Sequence, residues 1–223
     1  MTTAKSRLCQ EQLPLLRGQG RFIDDINPVG TVHLAFVRSP YAHARIIKVD
    51  VNAAQQQPGV LTVLSGHTLL SQIKPIRPLV EHADFQATDW HPLAWDKVRY
   101  VGEAVAVVVA VDRYHAEDAI EHVVVEYDPL PVVDSHTVAM VAGSPRVHET
   151  LESNILLRTR SGLEKGRAAF AQAEVHVRGT FRHPRVTGLA IENCGVVADY
   201  HPETDELTVW SSTQIPHLLR DAI

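Results

Sequence analysis

The eight consecutive apolar residues Ala104 to Val111, four of them Val105, Val107, Val108 and Val109, constrain this chain more than any other stretch. A run so short and so rich in β-branched residues suits a strand buried on both faces. Asp112 follows as a candidate helix cap, and Ala116, Ala119, Ile120 and Val123 fall at i, i+3, i+4 and i+7. Val123 to Tyr127 reads as a second strand, closed by Asp128-Pro129-Leu130-Pro131. Strand, helix and strand with short joints predict a βαβ-like unit, its two strands lying side by side at the core of a first domain.

The flanking pattern is mixed α and β. Residues 1–20 are polar and read as a flexible N-terminal segment. Thr31 to Arg38 alternates as a half-buried strand, and Arg45 to Val51 reads as its partner. Asn52 is placed to cap a short helix through Gln57, stopped by Pro58-Gly59, and Val60 to Leu64 is a further buried strand. A helical turn is expected over His67 to Leu70. Residues 71–92, with Pro75, Pro78 and Pro92, read as an irregular loop, and Val132 to Ala142 as a short helix. The turn-rich residues 143–154 are the expected linker. Beyond it, the second part begins with Ile155 to Thr159, and strands are expected at Glu174 to His183, Cys194 to Tyr200 and Leu207 to Ser212. Leu163 to Ala173 reads as a helix with Ala169 and Phe170 facing a core, and another helix starts at Pro216.

Composition removes several function classes. The 223 residues carry a formal net charge of -5, and no segment collects Lys or Arg, so phosphate neutralisation on a nucleic acid is not expected. The longest apolar run falls far below the ~20 residues of a membrane-spanning helix. The opening MTTAKSRLCQEQ lacks the apolar core of a secretory signal. Two cysteines, Cys9 and Cys194, are too few for a disulfide framework, and a reducing, cytoplasmic setting is expected.

Individual residues carry little chemistry on their own. The 13 His residues show no metal-ligand spacing; His115 and His122 share a face without a partner set. No serine sits in a nucleophile elbow. Cys194 reads as a small buried hydrophobe. Gly18-Gln19-Gly20 lacks the strand and third glycine of a dinucleotide loop. Glu103, entering the buried run, calls for a partner, and Arg99 is the nearest. Glu192 reads as a capping or surface carboxylate. Gln214 ends a strand with an amide that both donates and accepts, suited to an oxo or carbonyl group.

Six stretches, carrying seven motifs, together resemble a known family. LLRGQGRFIDDINPVGTVHLAFVRSPYAHARI, PGVLTVLSG, DKVRYVGEAVAVVVAVDRYHAEDAIEHVVVEYDPLPVV, AFAQAEVHVRGTFRHPRV, IENCGVVADY and LTVWSSTQIPHLLR stand in the order of the xanthine dehydrogenase, aldehyde oxidase and carbon monoxide dehydrogenase family. The similarity is to the start of its molybdenum-containing large subunit and runs from about residue 13 onward. It implies an α+β chain: an α/β-hammerhead domain over 21–142, a linker at 143–154, and over 155–223 an incomplete start of a molybdopterin-binding domain. The glycine-rich G-G-G-F-G stretch and the general-base Glu of the family are expected beyond residue 223, so the second part reads as truncated.

The resemblance also implies a chemistry. A molybdopterin cofactor, possibly in its cytosine dinucleotide form, oxidises a small molecule with water as oxygen source, and electrons leave through 2Fe-2S and FAD partner subunits. Gln214 matches the family Gln that hydrogen-bonds the molybdenum centre. Glu192 matches a Glu of an L-E stretch, with Ala190 where Pro is usual. The resulting expectation is the N-terminal portion of a molybdenum-dependent oxidoreductase, not catalytic by itself. Its rival is a non-catalytic assembly module that docks the iron–sulfur and flavin subunits.

Overall fold

A computed structural model describes residues 12–80, 82–159 and 161–223. Cys9 and the greater part of the expected flexible segment lie outside the described residues. Within that segment, Gln12–Leu16 form a one-turn helix (α1) rather than a loop. The chain divides into two compact units, one of Val32–Gly179 and one of the described residues 12–31 together with Thr180–Ile223.

The Val32–Gly179 unit is built on two three-stranded antiparallel sheets. Its elements are β1 (His33–Arg38), β2 (Ala44–Asp50), α2 (Asn52–Gln55), β3 (Val60–Ser65), α3 (Gly66–Leu69), β4 (Lys97–Val98), β5 (Ala104–Ala110), α4 (Arg113–Ile120), β6 (Val124–Pro129), α5 (His136–Ala139) and α6 (Leu163–Gln172). The apolar run becomes β5, the centre of the order β1-β5-β3; the second sheet has the order β4-β2-β6. Val105, Ala106, Val108 and Ala110 are fully buried. Asp112 caps α4, its carboxylate accepting from His115 N at 2.9 Å, which also holds that carboxyl below its usual range. Ala116 and Ala119 then face inward, where Ala119 meets Ala106, Val108 and Val63, and Ala116 meets Ala35 and Ala110. Small residues on both sides let the helix lie close to the sheet.

Two expected pairings change. The strands flanking α4 do not lie side by side: β5 has both edges taken by β1 and β3, so β6 pairs antiparallel with β2 in the other sheet. For the same reason β1 and β2 are not partners. The α4 crossover therefore links two sheets, and residues of both meet in one core, Val49, Val123 and Val125 beside Val63 and Val108. Asn52 does not cap α2; the Asp50 carboxylate instead accepts from its backbone N at 3.1 Å and its side-chain amide at 2.9 Å. Gly59 turns the chain into β3 with φ +74°, and a Cβ there would stand 2.5 Å from His115 Cδ2. His115 is thus a packing and capping residue. Residues 71–92 are irregular, with one bridge between Ile76 and Trp90.

Downstream, the expected linker is held firmly. Lys97, at 2% exposure, donates from Nζ to Glu149 at 2.6 Å and to Val147 O at 2.8 Å. The Lys97 ammonium holds the Glu149 carboxyl below its usual range. Asn154 buckles the same loop: Oδ1 accepts from Val147 N at 2.9 Å, and the amide donates to Pro145 O at 2.9 Å. A buried ammonium needs such partners, and this one fastens 147–149 to β4. The strand expected at 174–183 does not form: Val177 and Phe181 are 86% and 87% exposed, and their alternation finds no partner strand among the described residues. α6 forms as expected but stays exposed, with Phe170 stacked on His176 rather than in a core.

Removing one member of the Lys97–Glu149 pair leaves the other uncompensated, whereas removing both does not. Glu149→Ala is expected to lower unfolding stability by about 2 kcal/mol, reduced from a fully buried pair because Glu149 is half exposed. Lys97→Met in the same background is expected to restore most of it, checked by urea unfolding of the four members of the cycle; additive losses would contradict the coupling.

Candidate functional site

The residues singled out by chemistry beyond position 180 lie in the unit formed by the N-terminal residues and Thr180–Ile223. Its elements are a 3-10 turn (Ile23–Asp25), β7 (Val196–His201), β8 (Glu206–Ser211) and α7 (Pro216–Ala222). The 3-10 turn is closed by its own Asp25, whose carboxylate accepts from Phe22 N at 2.9 Å. The next amide, Ile23 N, donates to Glu192 Oε1 at 2.7 Å, a contact spanning 169 positions of sequence. Glu192 thereby pins the N-terminal turn to the segment that enters β7. Ile23 also packs against Gly195, where a Cβ would stand 3.0 Å from Ile23 Cγ2.

The hairpin is a regular antiparallel pair, Val196 opposite Ser211 through His201 opposite Glu206. Asp205 adopts φ +56° at its turn, where its carboxylate accepts from the Tyr200 hydroxyl at 2.9 Å. At the open end, Ser212 continues the pairing. Its N donates to Gly195 O at 3.1 Å, and its hydroxyl accepts from Gly195 N at 2.8 Å. Thr213 Oγ1 then accepts from Ile215 N at 3.1 Å, turning the chain into α7, with Pro216 at the first helical position. Gln214 stands in this turn, exposed to solvent. Its side-chain amide can both donate and accept a hydrogen bond.

Sequence reasoning on the other candidates meets mixed outcomes. Glu192 is half-buried and makes a backbone contact, in keeping with a structural role. Cys194, expected to be buried, is exposed and free, because β7 begins two residues later. Glu103 has its carboxylate bound by Arg99, through the backbone N rather than the guanidinium. The guanidinium lies 3.6 Å from Asp96 and donates to Lys97 O. Burial raises the Glu103 carboxyl above its usual range against the pull of Arg99. Among the described residues no three His, Cys, Asp or Glu side chains gather into a metal-binding group. The residues that sequence reasoning missed are Ile23, Gly195 and Ser212. The only signal for them was a glycine directly ahead of an apolar strand start, which marks a close approach of backbone.

Comparison with known proteins decides the family. Residues 17–131 match the α/β-hammerhead domain of aldehyde oxidase and xanthine dehydrogenase, and residues 147–223 match a molybdopterin cofactor-binding domain. The chain belongs to the aldehyde oxidase and xanthine dehydrogenase family. The nicotine 6-hydroxylase large subunit of Paenarthrobacter nicotinovorans is 37% identical over 94% of this chain and 26% of the relative. The carbon monoxide dehydrogenase large chain of Hydrogenophaga pseudoflava is 34% identical over 98% of this chain and 28% of its own length. The crystal structure of quinoline 2-oxidoreductase from Pseudomonas putida 86 superposes with a TM-score of 0.87 at 40% identity, covering 97% of this chain and 27% of that one.

The chain thus spans about a quarter of the length of the relatives it matches. The mixed α+β architecture, a hammerhead followed by molybdopterin-binding-domain sequence, is the one implied by the seven motifs. Glu192 and Gln214 both lie within the residues matched by the cofactor-binding domain. Among the described residues no helix is long and apolar enough to cross a membrane.

Two outcomes follow from these contacts. Glu192→Ala leaves Ile23 N without its acceptor and is expected to cost about 1 kcal/mol, read as faster proteolytic cleavage between residues 22 and 31 with β5 unaffected. Glu103, with its folded pKa raised, contributes stability that is fully present below the ordinary carboxyl range and lost as pH rises through the folded value. The stability of the wild type relative to Glu103→Gln is therefore expected to fall as pH rises from the ordinary carboxyl range through the higher folded value. A difference that is flat with pH, in thermal melts across that range, would contradict the burial effect.

Proposed function

We propose that this chain is the portion of a molybdenum-dependent oxidoreductase large subunit that carries the hammerhead domain and the entry to the pterin-binding domain. The reaction class is hydroxylation of an aldehyde, a purine or another N-heterocycle, or oxidation of carbon monoxide, with water as the oxygen source. The observation that carries the reading is the order and extent of the two matches, 17–131 followed by 147–223, with almost the whole chain superposing on about a quarter of the solved quinoline 2-oxidoreductase chain. Domain limits of 21–142 and 155–223, joined by 143–154, belong to the same proposal.

In this reading the molybdopterin centre, possibly in its cytosine dinucleotide form, supplies the redox and Lewis-acid chemistry. This chain contributes placement. Glu192 fastens the N-terminal turn to the entry of β7, and Ser212 closes the hairpin on Gly195. The hairpin's exit turn then presents the Gln214 amide as a hydrogen-bond donor toward an electron-rich oxo group. The general base and the rest of the pterin pocket are assigned to the remaining three quarters of the large subunit. Partner subunits with 2Fe-2S and FAD centres would take the electrons, in a cytoplasmic complex. Names among the relatives, such as the 6-hydroxypseudooxynicotine dehydrogenase complex subunit gamma, support a multi-subunit setting.

The test is recovery of this chain from its native cell extract, with molybdenum analysis of what accompanies it. Stoichiometric molybdenum with partner polypeptides is the expected result, and Gln214→Ala is then expected to lower activity or molybdenum content roughly 10- to 100-fold. Iron–sulfur and flavin polypeptides without molybdenum would instead favour a non-catalytic assembly module.

A further inference from the structure

The loop 147–149 is gripped at two points by one buried ammonium: Lys97 Nζ donates to Val147 O at 2.8 Å and to Glu149 at 2.6 Å. His148 lies between those two points and is half-buried. Its carbonyl accepts from Leu151 N at 3.2 Å, and Val147 N donates to Asn154 Oδ1 at 2.9 Å, so the loop closes around it. A second cation stands at the end of the same strand. The Arg99 guanidinium donates to Lys97 O at 2.8 Å, and its Nε is buried without an acceptor among the described residues.

The carboxylates that reach this place are already engaged. Glu149 is taken by Lys97, Asp96 lies 3.6 Å from Arg99, and Glu103 accepts from the Arg99 backbone N. Of the other charged groups on the elements packed here, Arg146 donates to Leu151 O, and Arg45 of β2, opposite Lys97, is exposed. His136 of α5, the helix that Asn154 reaches through Ala139 O, is exposed as well. A neutral imidazole at His148 adds no charge to this cluster. A protonated one is a third cation with no carboxylate of its own, in surroundings that already exclude much of the solvent. Burial, then Arg99 and Lys97, hold the His148 imidazole below its usual range against the pull of Glu149 and Asp96. Glu149 is itself held below the carboxylate range by Lys97, so it keeps its charge while an imidazole titrates.

We propose that 147–149 is an acid-released latch: a proton on His148 sets a third cation beside Lys97 and Arg99, and the expected linker 143–154 lets go of β4. His148 contributes stability that is fully present above the ordinary imidazole range and lost as pH falls through the lower folded value. Glu103, raised by burial, acts with the opposite sign and does not produce the release. The latch lies within the Val32–Gly179 unit and needs no metal.

The test is amide hydrogen exchange of the full chain, read as protection of Val147 and Leu151 relative to Val107 and Val108 in β5. As pH is lowered from above to below the ordinary imidazole value of about 6.5, loop protection is expected to fall about 3-fold or more while β5 holds. His148→Gln, and His148→Phe, which keeps the bulk of the ring, are each expected to abolish the fall; protection of β5 checks that each variant folds. Glu103→Gln is expected to keep it. A wild-type loop whose protection is flat with pH, or a fall shared equally by β5, would overturn the latch. So would a fall of the same size in either His148 variant, or its loss in Glu103→Gln.

Discussion

Everything in the Val32–Gly179 unit depends on β5 being paired on both edges. Its backbone groups are buried, and buried amides and carbonyls have to find partners, so a strand at that depth cannot be left with an open side. β1 and β3 supply the two ladders, both antiparallel. Once those edges are filled, the strand that follows α4 has nowhere to go in the same sheet. It joins β2 instead, and the crossover that might have produced a parallel pair produces two sheets sharing a core. The topology is thus a consequence of satisfaction at one strand.

A second constraint, more local, explains the long excursion after β6. Lys97 lies in a two-residue strand beside β2, fully buried, and its ammonium cannot remain there without compensation. Glu149 and Val147 O provide it, and with Asn154 they turn a Gly- and Pro-containing stretch into a fixed loop. The other unit uses the same logic with a carboxylate. Glu192 takes up the Ile23 amide and so draws a distant N-terminal turn to the root of the hairpin. In both cases one charged side chain fixes a segment that has no periodicity of its own.

Residues read from sequence as chemical candidates divide along the same line. Glu103, Glu192 and His115 satisfy backbone groups or pack against them, which is what polar residues near a core most often do. Gln214 differs: it stands exposed in a turn whose shape is set by its neighbours Thr213 and Ile215. It lies within the residues matched by the cofactor-binding domain.

By itself the sequence determined the local elements: β5 from its β-branched run, α4 from Asp112 and the spacing of its alanines, the β7–β8 hairpin from alternation around a turn, and the family from seven motifs in order. These are readable because they depend on near neighbours in the chain. Only the tertiary structure decided which strands pair, that 147–149 is pinned by Lys97, and that Glu192 reaches Ile23. It also decided that Val175, Val177 and Phe181, which alternate like a strand, remain exposed. Pairing and ion-pair partners are set by competition among distant groups for the same edge or charge, and alternation records only that a strand would be favourable if an edge were available.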